Sequence, residues 1–167
     1  MELVSRAQLQ FVRKLVRRFE EHNNILQTAA YYQVQYIAII TMLRSIGHVF
    51  EKVDCRGNAS RSRWAKTAWK DWQTVPVFTN FIEPTRNELL KEFKGGVDVR
   101  SGFDTVAVVV NPAMALNDDD MAELQVSFRA EELRDPSGSH VLPQIKEAID
   151  FWDECLASAE RAFIDFD

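Results

Sequence analysis

Cysteine is scarce in the 167-residue chain: Cys55 and Cys155 stand far apart without companion Cys or His pairs. That excludes a disulfide framework and a zinc site of the usual ligand spacing, and both thiols are expected to be reduced and mostly buried. Long apolar runs are also missing. The longest candidate, residues 36–43, falls well short of the roughly 20 residues needed to span a bilayer. Residues 1–6 carry no basic segment leading into an apolar one, so no export signal is expected. With six glycines and five prolines, the chain has no phosphate-cradling glycine loop and no nucleophile elbow, and neither a cofactor nor a metal is expected. These absences give a cytoplasmic protein without a membrane partner. The length suits one domain over residues 1–167, with a core that needs no covalent staples.

Charge is plentiful but unevenly placed. The net charge is −5, yet residues 1–94 hold 15 Lys/Arg against 9 Asp/Glu, while residues 95–167 hold 5 against 16. Such a division marks either an anion-binding surface in the basic half, or two halves that pair with each other or across subunits. Overall acidity weakens non-specific attraction to phosphate, which favours the pairing.

Hydrophobic periodicity predicts a mainly α (α+β) fold. Residues 2–22 place Val4, Phe11, Leu15 and Phe19 on one face of an amphipathic helix. Residues 26–53 form the most apolar stretch, with Tyr36, Ile39, Ile40, Leu43, Ile46, Val49 and Phe50 at helical steps, and are expected to be the central buried helix. Gly47 inside it points to a close helix crossing, because an unneeded glycine there costs up to about 1 kcal/mol. A turn over 55–60 leads to a helix over 61–72 carrying Trp64, Ala68, Trp69 and Trp72. The apolar stripe of Val77, Phe78, Phe81, Ile82, Leu89, Leu90 and Phe93 is interrupted by Pro84, which predicts a bend or a fresh start at Glu83. Gly95-Gly96 ends it.

The pattern then changes to β-branched and alternating residues. Strands are expected at 97–100 and 105–110 around a tight turn at 101–104, with a third at 123–129, giving a small antiparallel β-meander inserted over 97–130. A helix starting at Asp118 is the competing reading. Residues 134–139 read as a loop. The closing helix over 140–166 is the clearest element, with Leu142, Ile145, Ile149, Trp152, Leu156, Ala159, Phe163 and Phe166 stepping by threes and fours as a bundle seam.

Two sets of residues suggest anion or RNA binding. The first is Arg86 and Asn87, with Lys91 one turn on. The second is residues 55–70, where Arg56, Arg61, Arg63, Lys66 and Lys70 occur with no acid and are interleaved with Trp64 and Trp69: cations suit phosphates and an exposed indole suits an unpaired base. The bland alternative is that the tryptophans are core and the cations a wet helix face. Arg13, Lys14, Arg17 and Arg18 make a further basic strip, diluted by Glu20 and Glu21. Asp118, Asp119, Asp120 and Glu123 lack the spacing of a calcium loop and read as a turn or helix start.

A long apolar helix, a turn, a second helix ending in Phe81-Ile82-x3-Arg86-Asn87-x2-Leu90-Lys91-Glu92 and a final long helix resemble the HEPN family of four-helix-bundle proteins. The resemblance covers residues 26–94 and, more loosely, 140–166. It implies a four- or five-helix bundle that binds or cleaves RNA, often as a symmetric homodimer and frequently in toxin–antitoxin or phage-defence settings. Active members carry an Arg, four to six residues, then a His; the Arg holds phosphate oxygens and the His moves a proton near neutral pH. Arg86 and Asn87 match the first part of that motif. Lys91, Glu92 and Phe93 stand where the histidine belongs, and a lysine with a reference pKa near about 10.4 is a poor base at pH 7. Arg44 and His48 lie too close in sequence for the motif, so His48 is read as a core or interface residue. Arg134 and His140 have the interval but bracket Pro136 and Gly138, and His22 suits a helix C-terminus.

The expected function is therefore a non-catalytic HEPN-like binding or regulatory protein acting on RNA or a protein partner through Arg86, Asn87 and Lys91. An endoribonuclease using Arg86 with Lys91 or Glu92 is the alternative. A structural homo-oligomer is the third reading.

Overall fold

The computed structural model describes residues 3–21, 29–92, 94–98, 103–104, 127–128 and 133–166. It is mainly helical. α1 spans Val4–Glu21, α2 Ala29–Val49, α3 Ala59–Trp72, α4 Glu83–Asn87 and α5 Val141–Phe163. α2 runs on into a π turn, Phe50–Asp54, and α5 into a 3₁₀ turn, Ile164–Phe166.

The buried face of α1 agrees with the expected one at Phe19, and in part at Leu15, and differs at its N-terminal end. Leu9, Val12, Val16 and Phe19 are buried, whereas Val4 and Phe11 are 52% and 50% exposed. Two apolar stripes cross this helix, and the buried one also steps by threes and fours, so periodicity alone does not choose between them. No residue inside α1 satisfies its first N–H groups. Asp54, buried at the far end of the α2 extension, does so from outside: its carboxylate accepts the N–H of Val4 (2.7 Å), the N–H of Ser5 (3.0 Å) and the Ser5 hydroxyl (2.5 Å).

α2 is the central helix, as its composition predicts. Tyr32, Tyr36, Ile39, Ile40, Leu43 and Ile46 are fully enclosed, and α2 packs against α1, α4 and α5. Gly47 marks the expected close approach: a Cβ there would collide with the Trp69 ring and lie 2.9 Å from Trp152 Cη2. α3 begins where Asn58 Oδ1 accepts the N–H groups of Ser60 and Arg61, both at 3.0 Å.

The next helical run alternates a π turn (Phe78–Ile82), α4, and a second π turn (Glu88–Glu92). Pro84 explains the first change. It has no N–H to donate, and its ring crowds the carbonyl four residues back, so the chain widens before it and restarts at Glu83. Gly95 and Gly96, at φ of 75° and 115°, follow the run. Gly96 lies against the Gln33 side chain, whose Oε1 accepts the Val97 N–H at 3.1 Å.

α5 buries the predicted seam of Leu142, Ile145, Ile149, Trp152, Leu156, Ala159 and Phe163. Buried side chains of α1, α2, α3, α5 and the π turns form one apolar cluster, in which Trp69 stacks on Trp152 (centroids 6.3 Å apart) and Phe50 on Phe163 (5.8 Å).

The expected three-stranded meander is not seen among the described residues. The pairing present joins Phe103–Asp104 to Ser127–Phe128, antiparallel, with Phe103 opposite Phe128. Phe103 and Asp104 were expected in a turn. Asp98, expected in the first strand of a hairpin, instead donates its N–H to the Arg134 carbonyl at 2.7 Å, because the segment after Gly96 runs alongside the 133–140 loop. The rest of 97–130, including Asp118, Asp119, Asp120 and Glu123, lies outside the described residues, as does His22.

Candidate functional site

α2 is apolar on most of its surface, yet Thr41, Arg44, Ser45 and His48 follow the spacing of one helical face. That face looks across at Glu83, Arg86 and Asn87 of α4 and at Lys91 on the π turn beyond it, and the two sets enclose a cleft of ≈ 180 Å³. In an α-helix residues five apart lie about 140° from one another. A π turn, bonded i to i+5, reduces that offset. The widened Glu88–Glu92 turn thus accounts for Lys91 sharing the cleft with Arg86.

Arg44 forms the cleft wall nearest the core. Its side chain is 15% exposed, its guanidinium lies 5.7 Å from the Trp69 ring centroid and 5.3 Å from that of Phe78, and one Nη2 hydrogen reaches Glu83 Oε1 at 3.3 Å. Its Nη1 is enclosed and has no hydrogen-bond partner among the described residues, a donor that a phosphate oxygen would satisfy. Arg86 Nη1 donates to Asn87 Oδ1 at 3.0 Å, and no carboxylate among the described residues pairs with Arg86. Among the described residues Glu83 is the one acid lining the cleft, and Arg44 already offsets its charge. With Arg44, Arg86 and Lys91 against Glu83, the cleft carries an excess of positive charge whatever the protonation of His48.

Comparison with protein-family models, curated proteins and solved structures finds no match.

The structure therefore brings together Arg86, Asn87 and Lys91 from the sequence reading and adds Arg44 and His48, which that reading set aside. His48 is exposed on the cleft face rather than core. The signal in the sequence is the polar stripe of Thr41, Arg44, Ser45 and His48 on an otherwise apolar helix, which the interval of the Arg–His motif does not capture.

The α3 set is not part of this cleft. Arg61, expected on a basic surface, is 5% exposed, and its guanidinium lies 4.8 Å from the Phe163 ring centroid of α5 rather than on a solvent-facing surface. Trp64 is half-buried and packs edge-on against Phe50, Trp72 and Phe163 at 5.7 to 6.3 Å, so it is not a free stacking platform. Arg63 and Lys66 are exposed but border different hollows: Arg63 one with Trp64 and Phe166, Lys66 a pocket against α2. Arg134 and His140 meet across a backbone bridge, and Arg134 Nη1 closes the loop on the Gly138 carbonyl at 2.7 Å.

Neither thiol is poised to react. Burial, helped by Asp54, pushes Cys55 up to about 11, and burial, helped by Glu154, pushes Cys155 up to about 12. No cluster of metal-ligating side chains occurs among the described residues, and no described helix is long and apolar enough to cross a membrane.

Proposed function

We propose that the α2–α4 cleft binds RNA phosphate and that the protein is a binding or regulatory module of HEPN-like type. The observation that carries this reading is the convergence of Arg44, Arg86 and Lys91 on one cleft, with a single acid already engaged by Arg44. Asn87 holds the Arg86 fork and adds an amide to the same wall. The HEPN resemblance supplies the setting: a cytoplasmic homodimer joining two such clefts, acting in toxin–antitoxin or phage defence.

Fluorescence anisotropy with a labelled single-stranded RNA tests the binding. The double variant Arg86→Ala/Lys91→Ala should weaken affinity at least tenfold. It should also flatten the slope of log K against log salt by about 1.4, the value for two lost phosphate contacts on a single strand. Unchanged affinity and slope would remove the cleft from consideration.

One observation favours a second reading. His48 lines the same cleft, so an imidazole is present there although the sequence motif lacks one, and an endoribonuclease would use Arg86 with His48. Lys91 and Glu92 are then unnecessary as bases; Glu92 is exposed, pairs with Lys94 at 3.2 Å and lines a different hollow. Incubation of RNA with the protein in excess chelator discriminates the two: cutting that disappears in His48→Ala selects the enzyme, and intact RNA that is nonetheless bound selects the binding module.

A further inference from the structure

A second cavity, distinct from the α2–α4 cleft, is also bordered by Trp69. We propose that this pocket, between the C-terminal end of α2 and α3, binds a small aromatic or alicyclic molecule carrying one carboxylate or sulfonate. The inference is independent of the RNA reading.

Its volume is ≈ 320 Å³, at the lower end of the range for small-molecule sites. Ala65 contributes only a methyl group to the α3 wall, while Phe50 and Trp69, the latter packed directly on Gly47 of α2, supply aromatic surface. An apolar ring system suits those walls. The rim is different. Lys66 and Lys70, one helical turn apart on α3, both border the opening and are exposed, and neither forms an ion pair with a described residue. Their ammonium groups repel each other at this spacing, and one anion between them relieves that repulsion. The acid at the rim, Glu51, is occupied by Lys52 at 3.0 Å, so it does not neutralise the pair. Apolar walls closed by two cations that pair with no described acid select an amphiphile with a rigid body and a single negative head.

The probe is 8-anilinonaphthalene-1-sulfonate, with N-phenyl-1-naphthylamine as its uncharged counterpart. Wild type should bind the sulfonate saturably at one per chain. Lys66→Met/Lys70→Met keeps the apolar stems and should weaken the sulfonate at least tenfold while changing the neutral dye less than twofold. Lys14→Met/Arg17→Met, which removes equal charge from the exposed side of α1, should leave both unchanged. Ala65→Val, which fills the floor, should weaken both dyes and so reports on the pocket even if the lysine variant is poorly folded by circular dichroism. Absence of one-site saturation in wild type, or equal loss of both dyes in the lysine variant, or loss of the sulfonate in the α1 variant, would overturn the proposal.

Discussion

Asp54 shows how one side chain can start a helix it does not belong to. It caps α1 from 50 residues away, and Asp54→Ala would leave two enclosed N–H groups and the Ser5 hydroxyl without their acceptor. A loss of about 2–3 kcal/mol is expected, measured by urea denaturation, with Asp54→Asn recovering part of it. Gly47→Ala is expected to destabilise as well, by about 1–3 kcal/mol, despite alanine's better helix propensity, since the new Cβ meets Trp69 and Trp152. A neutral or stabilising result by thermal melting would show that the rings have room to move. These two residues differ in how far the sequence announces them. A lone glycine in an apolar helix carries a visible cost and points to a crossing, whereas Asp54 looks like any turn acid because its partners are remote in sequence. His48 belongs with Asp54: its meaning depends on what lies across from it.

At the scale of elements, the α5 seam was legible because seven of its eight predicted residues are buried, although the buried face is wider and also takes in Val141, Ala148, Phe151 and Cys155. The α1 face was legible only in part, since two stripes were available and only packing chose between them. Pro84 correctly marked the restart at Glu83, but the π turns on either side have no sequence signature and they set where Lys91 points. The loop before α5 offers a pH test. Burial raises the Asp135 carboxyl, but the Ser137 hydroxyl (2.6 Å), the Ser137 and Ser139 N–H groups (2.9 and 3.0 Å) and Gln144 outweigh it and hold the group below its ordinary value. A carboxyl depressed in the folded state stabilises above its unfolded pKa of about 3.9 and loses that contribution as pH falls further. Hydrogen exchange, corrected for intrinsic rates, should therefore show lower protection at Ser137, Ser139 and Gly138 at about pH 3 than at about pH 6. Equal protection would mean that the loop is held by its Arg134 contact alone.

For the molecule as a whole, the opposed charges of the two sequence halves are partly spent inside the chain. Arg6 of α1 grips Glu160 through two bonds (3.0 and 2.8 Å) and also meets Asp153, and Arg13 reaches Asp153 at 3.2 Å; the Lys146–Glu20 pair (2.7 Å) ties the same helices with the charges reversed. The expectation that the halves pair with each other is met along the α1–α5 contact. It leaves less of the asymmetry for a partner subunit. Arg6→Met is expected to cost about 1–2 kcal/mol in dilute salt, because a bidentate, mostly enclosed arginine exceeds an ordinary surface pair, and the penalty should shrink in about 1 M salt. A salt-independent penalty would assign the effect to lost packing. Arg44, by contrast, rests its guanidinium on the face of Trp69, which is itself stacked on Trp152. Any oxyanion that draws Arg44 away from that ring alters the surroundings of an indole pair, so the protein comes with a built-in optical gauge: occupancy of the cleft can be followed from native emission, with no label attached.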